Sequence, residues 1–224
     1  FTGCSNLTGI SLPFINKKTG LSSKEDYLIH RMFGKEYFAG ATKISCYIDS
    51  SSLRDYYVPS TLKSVSICGG AVGHNALKDV KSLTDVSFIS VTSIASSALN
   101  GVSSLKNIYF NYDTMSDFDV SNSPFGRNKS LGSDVEVTFG SNVTYIPRYM
   151  FYENSSITRV NLKSSKCGKI GFAAFKDCPI YQLYLPTGNY VTIEKYNNTL
   201  KGTLPNENII EIASFKDENQ TDLD

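Results

Sequence analysis

Hydrophobic residues recur along this chain in two linked patterns. In the first, an apolar residue is followed, after three variable positions, by a small or apolar residue and then a large apolar one. It reads Val72 with Ala76-Leu77, Ile94 with Ala98-Leu99, Val120 with Pro124-Phe125, Ile146 with Met150-Phe151, and Ile170 with Ala174-Phe175. Successive large residues are 22, 26, 26 and 24 positions apart. That period is too irregular for a coiled coil and suits a stack of coils.

The second pattern is an apolar pair at i and i+2 with a polar or variable residue between. The pairs are Ile10/Leu12, Val65/Ile67, Val86/Phe88, Ile108/Phe110, Val137/Phe139, Val160/Leu162 and Leu183/Leu185, with a weaker one at Ile210/Ile212. Apolar positions two apart predict a short strand with one buried face, so one strand per repeat is expected. Three residues after the large apolar position lies a turn site holding Cys4, Val80, Val102, Asn128, Asn154 and Cys178. An Asn or Cys pointing inward there can satisfy backbone groups exposed by the turn.

A single repeat has too few apolar side chains to offset the backbone entropy lost on ordering it. Neighbours must supply a second buried face and the ladder hydrogen bonds, so the strands are expected to align as a parallel sheet along one side.

Phe1-Thr2-Gly3-Cys4-Ser5-Asn6-Leu7-Thr8-Gly9-Ile10-Ser11-Leu12-Pro13 and Ile170-Gly171-Phe172-Ala173-Ala174-Phe175-Lys176-Asp177-Cys178-Pro179 carry a family resemblance. They resemble the BspA-type leucine-rich repeats of bacterial surface proteins, over about residues 1–13 and 58–186. The resemblance implies an α/β leucine-rich-repeat solenoid. It has a parallel sheet of short strands on its concave face and irregular or short helical segments on the other. It also implies a secreted or cell-surface protein, with adhesion or binding as the role. Three features depart from the pattern: Val80 and Val102 stand where Cys is usual, an insertion lies around Asp113 to Asp119, and the last repeat is one residue short near Ile180.

Between 14 and 57 the repeat stops. Ser22 and Glu25 form a capping box, Leu28, Ile29, Met32 and Phe33 share a helical face, and Gly34 is a natural stop. A short helix near 23–33 is expected, then a surface loop from Gly40 to Leu53. The segment reads as an inserted helix-loop packed on a single repeat domain of residues 1–224. The first repeat lacks its first half, so the chain is expected to be a fragment of a longer protein. The acidic residues 215–224 read as a flexible tail.

Composition removes several classes of function. Among 224 residues, 22 Lys and Arg face 21 Asp and Glu, a net charge of +1 without a basic run, so no nucleic-acid partner is expected. No stretch approaches the roughly 20 apolar residues that span a bilayer. Abundant Ser, Thr, Asn and Tyr with only 19% charged residues suit an extracellular surface. The five cysteines, Cys4, Cys46, Cys68, Cys167 and Cys178, show no zinc spacing. They read as small buried thiols, with a single Cys46–Cys68 bridge left open.

His30 and His74 lie in unrelated segments, without a nucleophile and carboxylate that the repeat would bring to them. Gly69-Gly70 and Gly202 have no phosphate-binding fingerprint around them. No enzyme, cofactor or metal site is expected; an active site built from the 14–57 insertion would need a closed pocket around His30 or Cys46, which nothing in the spacing favours. If the apolar pairs point inward, their neighbours point outward over the sheet: Asp85 and Ser87, Asn107 and Tyr109, Glu136 and Thr138, Arg159 and Asn161, Gln182 and Tyr184. Tyr and Arg combine large contact area with a polar handle, which places Tyr109, Arg159 and Tyr184 at the centre of a candidate surface for a protein or glycan ligand. With 14 tyrosines in the chain, a merely solvated sheet face is the competing reading of any one of them. A monomeric binding module of a bacterial surface protein is the leading expectation, and a structural stalk the alternative.

Sequons include those at Asn6, Asn128, Asn142, Asn154 and Asn197. Asn128 and Asn154 occupy the inward turn site, so both are expected to stay unmodified after expression in a glycosylating host. Glycopeptide mass spectrometry showing occupancy at Asn154 would contradict that register.

Overall fold

The computed structural model describes residues 1–13, 28–47, 51–127, 129–186, 191–194 and 196–197. Seven strands form one parallel sheet: β1 (Gly9–Leu12), β4 (Ser64–Val72), β5 (Asp85–Ile94), β6 (Asn107–Asn111), β7 (Val135–Phe139), β9 (Ile157–Leu162) and β11 (Gln182–Tyr184). They lie side by side in that order, as a stack of coils requires. Ile10, Val65, Val86, Ile108, Val137, Val160 and Leu183 are successive register partners, and so are Leu12, Ile67, Phe88, Phe110, Phe139 and Leu162. The apolar pairs read from the sequence therefore form two continuous rows. All their members but the half-buried Ile10 are buried. Leu185 falls just past β11 and is half-buried, and Ile210/Ile212 lie outside the described residues.

The opposite side of the coil carries the expected irregular turns and, in addition, a three-stranded parallel sheet of two-residue strands: β8 (Tyr145–Ile146), β10 (Lys169–Ile170) and β12 (Thr192–Ile193). The later repeats thus contribute two strands each. The leading apolar residue of the first pattern supplies the buried member in β8 and β10, Ile146 and Ile170, and Ile193, outside that pattern, does so in β12.

Between the sheets the core is built on two facing rows of phenylalanine. Phe88, Phe110 and Phe139 come from successive sheet strands and stack at 5.3 and 5.5 Å between ring centroids. Phe125, Phe151 and Phe175, the large residues of the first pattern, follow at 5.4 and 5.2 Å. Edge-to-face contacts join the rows, for example Phe110 with Phe125 at 5.3 Å and Phe139 with Phe175 at 6.4 Å. Such pairs add about 0.5–1.5 kcal/mol each beyond area burial.

The turns are bonded to one another as regularly as the strands. Amides of Leu77 and Asp79 donate to the carbonyls of Ala98 and Asn100 in the next coil, and those of Tyr149, Phe151 and Glu153 to Phe172, Ala174 and Lys176, all at 2.7–3.0 Å. Asp79, Tyr149 and Glu153 have positive φ, a conformation that costs an ordinary residue about 1–2 kcal/mol. Gly101 and Gly3, two positions after Leu99 and Phe1, adopt it as glycines with φ of +76° and +83°.

The inward turn site behaves as expected in the later repeats. Asn154 is buried; its side-chain amide donates to the carbonyls of Phe125, Gly126 and Lys129 and its oxygen accepts from the Ser156 amide. Cys178 donates its thiol to the Phe151 carbonyl at 3.0 Å. Val80 and Val102 are buried and fill the site without polar contacts, whereas Cys4 is exposed, and Asn128 lies outside the described residues. Asn197 is also buried and bonded to Gly171, Glu194 and Phe175, so its sequon is closed to a glycan as well.

Within the 14–57 segment, helix α1 spans Leu28–Phe33; the proposed capping box lies outside the described residues. The expected surface loop is instead an antiparallel hairpin of β2 (Ala41–Tyr47) and β3 (Leu53–Pro59). Alternation of Ile44 and Cys46 with exposed polar residues is the strand signal that the Ser-rich sequence obscured. Ile29, Phe33, Ile44, Cys46, Tyr56 and Val58 join the same contiguous core as the repeats. His30 ties the helix to the second coil, its Nε2–H donating to the Lys78 carbonyl at 2.7 Å. Burial pushes its pKa down to about 4, so the ring stays neutral near pH 7.

All five cysteines are free: Cys46, Cys167 and Cys178 are buried, Cys68 is half-buried and Cys4 exposed. The Cys46–Cys68 bridge is not formed. Replacing Phe110, which touches both rows of rings, by Ala should lower unfolding free energy by about 3–5 kcal/mol. Urea denaturation measures this, and a loss below about 1 kcal/mol would show that the rings do not hold the coils together.

Candidate functional site

Each strand of the seven-stranded sheet turns alternate residues outward, because side chains change face at every step. The parallel register assembles these residues into two rows. One contains Ser64, Asp85, Asn107, Glu136, Arg159 and Gln182; the other contains Ser11, Ser66, Ser87, Tyr109, Thr138, Asn161 and Tyr184. All ten candidate residues therefore lie together on one face. Asn107 and Tyr184 are exposed and the other eight are half-buried. Strands in register lie about 4.8 Å apart, so an extended ligand crossing them meets a polar side chain at every strand.

The two rows differ chemically. In the first, charges are satisfied internally: Asp85 accepts from Thr84 Oγ1 at 2.6 Å and from Asn107 Nδ2 at 2.7 Å. Arg159 pairs with Asp134 through Nη1 at 3.3 Å and with Glu136 through Nε at 3.5 Å, the second an ion pair without hydrogen-bond geometry. Its side chain is only 26% exposed. Arg159 thus bridges β7 and β9 through its ion pairs. The second row carries no charge at all; its Ser, Thr, Tyr and Asn side chains offer hydroxyls and amides.

Tyr109 and Tyr184 stand in that neutral row. The Tyr109 hydroxyl and the Asn111 side chain converge over Gly140, where any Cβ would collide with both. Asn111 is held there by accepting from the Asn142 amide at 2.9 Å. Tyr184, 45% exposed, and its near neighbour Tyr181, 58% exposed, present the largest free aromatic surface of this face.

Sequence reasoning missed Asp134 and Tyr181, which lie just before their strands. Asp134 has a positive φ of 58° and accepts from Thr158 Oγ1 at 2.7 Å and from the Tyr181 hydroxyl at 2.9 Å. Those two bonds, with a smaller contribution from Arg159, hold its carboxyl below the usual carboxylate range. Only the three-coil spacing of Asp134, Thr158 and Tyr181 could have signalled the cluster, and residues outside the apolar alternation have no periodic mark.

Nothing on this face is arranged as a catalytic constellation. Among the described residues no group of three His, Cys, Asp or Glu is placed to hold a metal ion. Burial raises the thiol pKa of Cys46 and Cys178 to about 12 and that of Cys167 to about 11, which keeps them protonated. The insertion presents His30 and Cys46 buried in the core.

A one-sided parallel sheet, bonded turns and six repeats define a leucine-rich-repeat solenoid. The chain belongs to the BspA type leucine rich repeat family, whose region matches in six copies over residues 45–125 and 70–203. The match reaches past residue 186, where the resemblance ended, and takes in the coil that contains β12. It does not include 1–13, although β1 pairs in register with β4. Neither curated proteins nor solved structures give a match. Proteins of this family are typically surface-associated, and their repeats mediate interaction in a fold not typically enzymatic. Among the described residues no helix is long and apolar enough to cross a membrane.

An NMR titration of the carboxyl carbons should place the Asp134 midpoint below about 3.9, the ordinary aspartate value. Thr158→Val should raise it more than Arg159→Gln does, because the hydroxyl bond is the larger cause. The reverse order would mean that the salt bridge, not the hydrogen bonds, organises the cluster.

Proposed function

We propose that this chain is a monomeric binding module of a secreted or cell-surface bacterial protein, engaging a protein or glycan ligand through the outward face of its seven-stranded sheet. One observation carries the reading: the neutral row Ser66, Ser87, Tyr109, Thr138, Asn161 and Tyr184 runs unbroken across six strands. All-parallel sheets usually have both faces covered. A polar outward row with two tyrosines is suited to a partner that supplies the second layer.

Tyr109 and Tyr184 are the anchors in this reading, since buried tyrosine contacts commonly dominate binding energy. Asn161, Thr138 and Ser87 orient the ligand by hydrogen bonds. Arg159 is a positioning residue that keeps β7 and β9 in register through Asp134 and Glu136. Its removal would leave two carboxylates facing each other.

Binding is measured on a glycan array and on immobilised secreted proteins. Alanine at both Tyr109 and Tyr184 should reduce any specific retention by at least about 100-fold, from two contacts of roughly 1.5–3 kcal/mol each, with the melting temperature unchanged. Unaltered retention would refute the assignment to this face. Absence of any ligand on both supports would instead favour a spacer role.

A further inference from the structure

A second polar surface lies on the turn side of the coil, away from the sheet. Arg127, Lys129, Ser130, Glu153 and Ser155 line a groove between the turn that follows Phe125 and the one that follows Phe151. Its floor is rigid. The buried Asn154 amide donates to the carbonyls of Phe125, Gly126 and Lys129 at 2.7, 3.3 and 3.0 Å, clamping the backbone on both sides of Arg127 and Lys129. Ser156 completes the clamp, its amide held by Asn154 and its hydroxyl accepting from the Leu131 amide.

The charges in the groove are unevenly matched. Glu153 is the only carboxylate lining it, and Arg127 at 3.6 Å and Lys176 at 3.9 Å share that group. Both cations also lie over the Tyr152 ring, at 5.8 and 5.2 Å. Lys129 has no carboxylate partner among the described residues; its Nζ donates to the neutral Asn100 Oδ1 at 2.7 Å. Partial burial lowers its pKa, as it does for an ammonium withdrawn from water without a counter-charge. The Ser130 and Ser155 hydroxyls beside it have no hydrogen-bond partner among the described residues. A partly buried cation bonded to Asn100 of the preceding coil, a second cation held by a long ion pair, and two exposed hydroxyls without partners among the described residues line one concave space.

We propose that this groove binds an oxyanion, a sulfate or carboxylate that is either a free ion or the charged group of an acidic sugar. Lys129 is the charged anchor, and Ser130 and Ser155 donate to the remaining oxygens. Arg127 turns from Glu153 towards the ligand. Glu153 competes for Arg127 and so sets the affinity. This site is independent of the sheet face: its residues lie outside every strand of that sheet.

The test is a chemical-shift titration of the isotope-labelled chain with sodium sulfate against sodium chloride at matched ionic strength. Parallel titrations use a heparin-derived tetrasaccharide and uncharged dextran. Saturable shifts at the amides of Lys129, Ser130 and Ser155 are expected with sulfate and with the tetrasaccharide but not with dextran. Tighter binding of the tetrasaccharide would identify the sugar-borne group as the ligand, and equal binding the free ion. Lys129→Gln should weaken binding at least about 10-fold, the loss of one charge-assisted hydrogen bond, and Glu153→Gln should strengthen it. Alanine at Tyr109 and Tyr184 should leave it unchanged, which separates this site from the sheet. Shifts that rise linearly with sulfate and match those with chloride would overturn the proposal. So would wild-type affinity in Lys129→Gln, or weaker binding in Glu153→Gln.

Discussion

The fold depends on packing successive coils through one shared apolar core, whose centre is two facing rows of phenylalanine. Phe88, Phe110 and Phe139 reach in from the sheet, and Phe125, Phe151 and Phe175 from the turns. No coil can bury these rings alone, since each ring touches partners one coil up or down. Burial therefore enforces register: slipping a strand by one residue would turn its whole apolar set to solvent. The parallel sheet, the turn ladder and the polar outward rows all follow from that registration.

Register is also what organises function. Residues about two dozen positions apart in sequence become neighbours at strand spacing, and two rows of opposite character result. In the row with Asp85, Glu136 and Arg159 the charged groups are bonded to neighbouring side chains, and Arg159 braces β7 and β9. The row with Tyr109, Thr138, Asn161 and Tyr184 is uncharged and presents hydroxyls and amides on the outward face. On the other side, the buried Asn154 shapes a groove whose cations exceed its carboxylates. One inward side chain thus connects the repeat's internal bonding to its surface chemistry.

Where expectation and structure part, the cause is local. The hairpin of β2 and β3 looked like a loop because its sequence runs through Asp49-Ser50-Ser51-Ser52 and only two residues of β2, Ile44 and Cys46, are buried. Two-residue strands such as β10 are too short for an alternation to register, so the leading apolar residues Ile146 and Ile170 marked the repeat without marking a strand. Arg159 looked like a contact residue because its strand position points outward, yet Asp134, outside the alternation, captures it.

The sequence by itself determined the period, the identity of the inward residues from Val65 to Leu183, and which residues share the outward face. These depend on the two-residue alternation of a strand and the need to bury apolar surface, both of which are written in residue order. Tertiary structure alone decided which outward side chains are free, which are clasped, and where the turns carry left-handed residues. Those outcomes depend on atoms brought together from separate coils. Asp79, Tyr149 and Glu153 combine positive φ with amides that donate to carbonyls of the neighbouring coil, a juxtaposition that residue order alone does not announce.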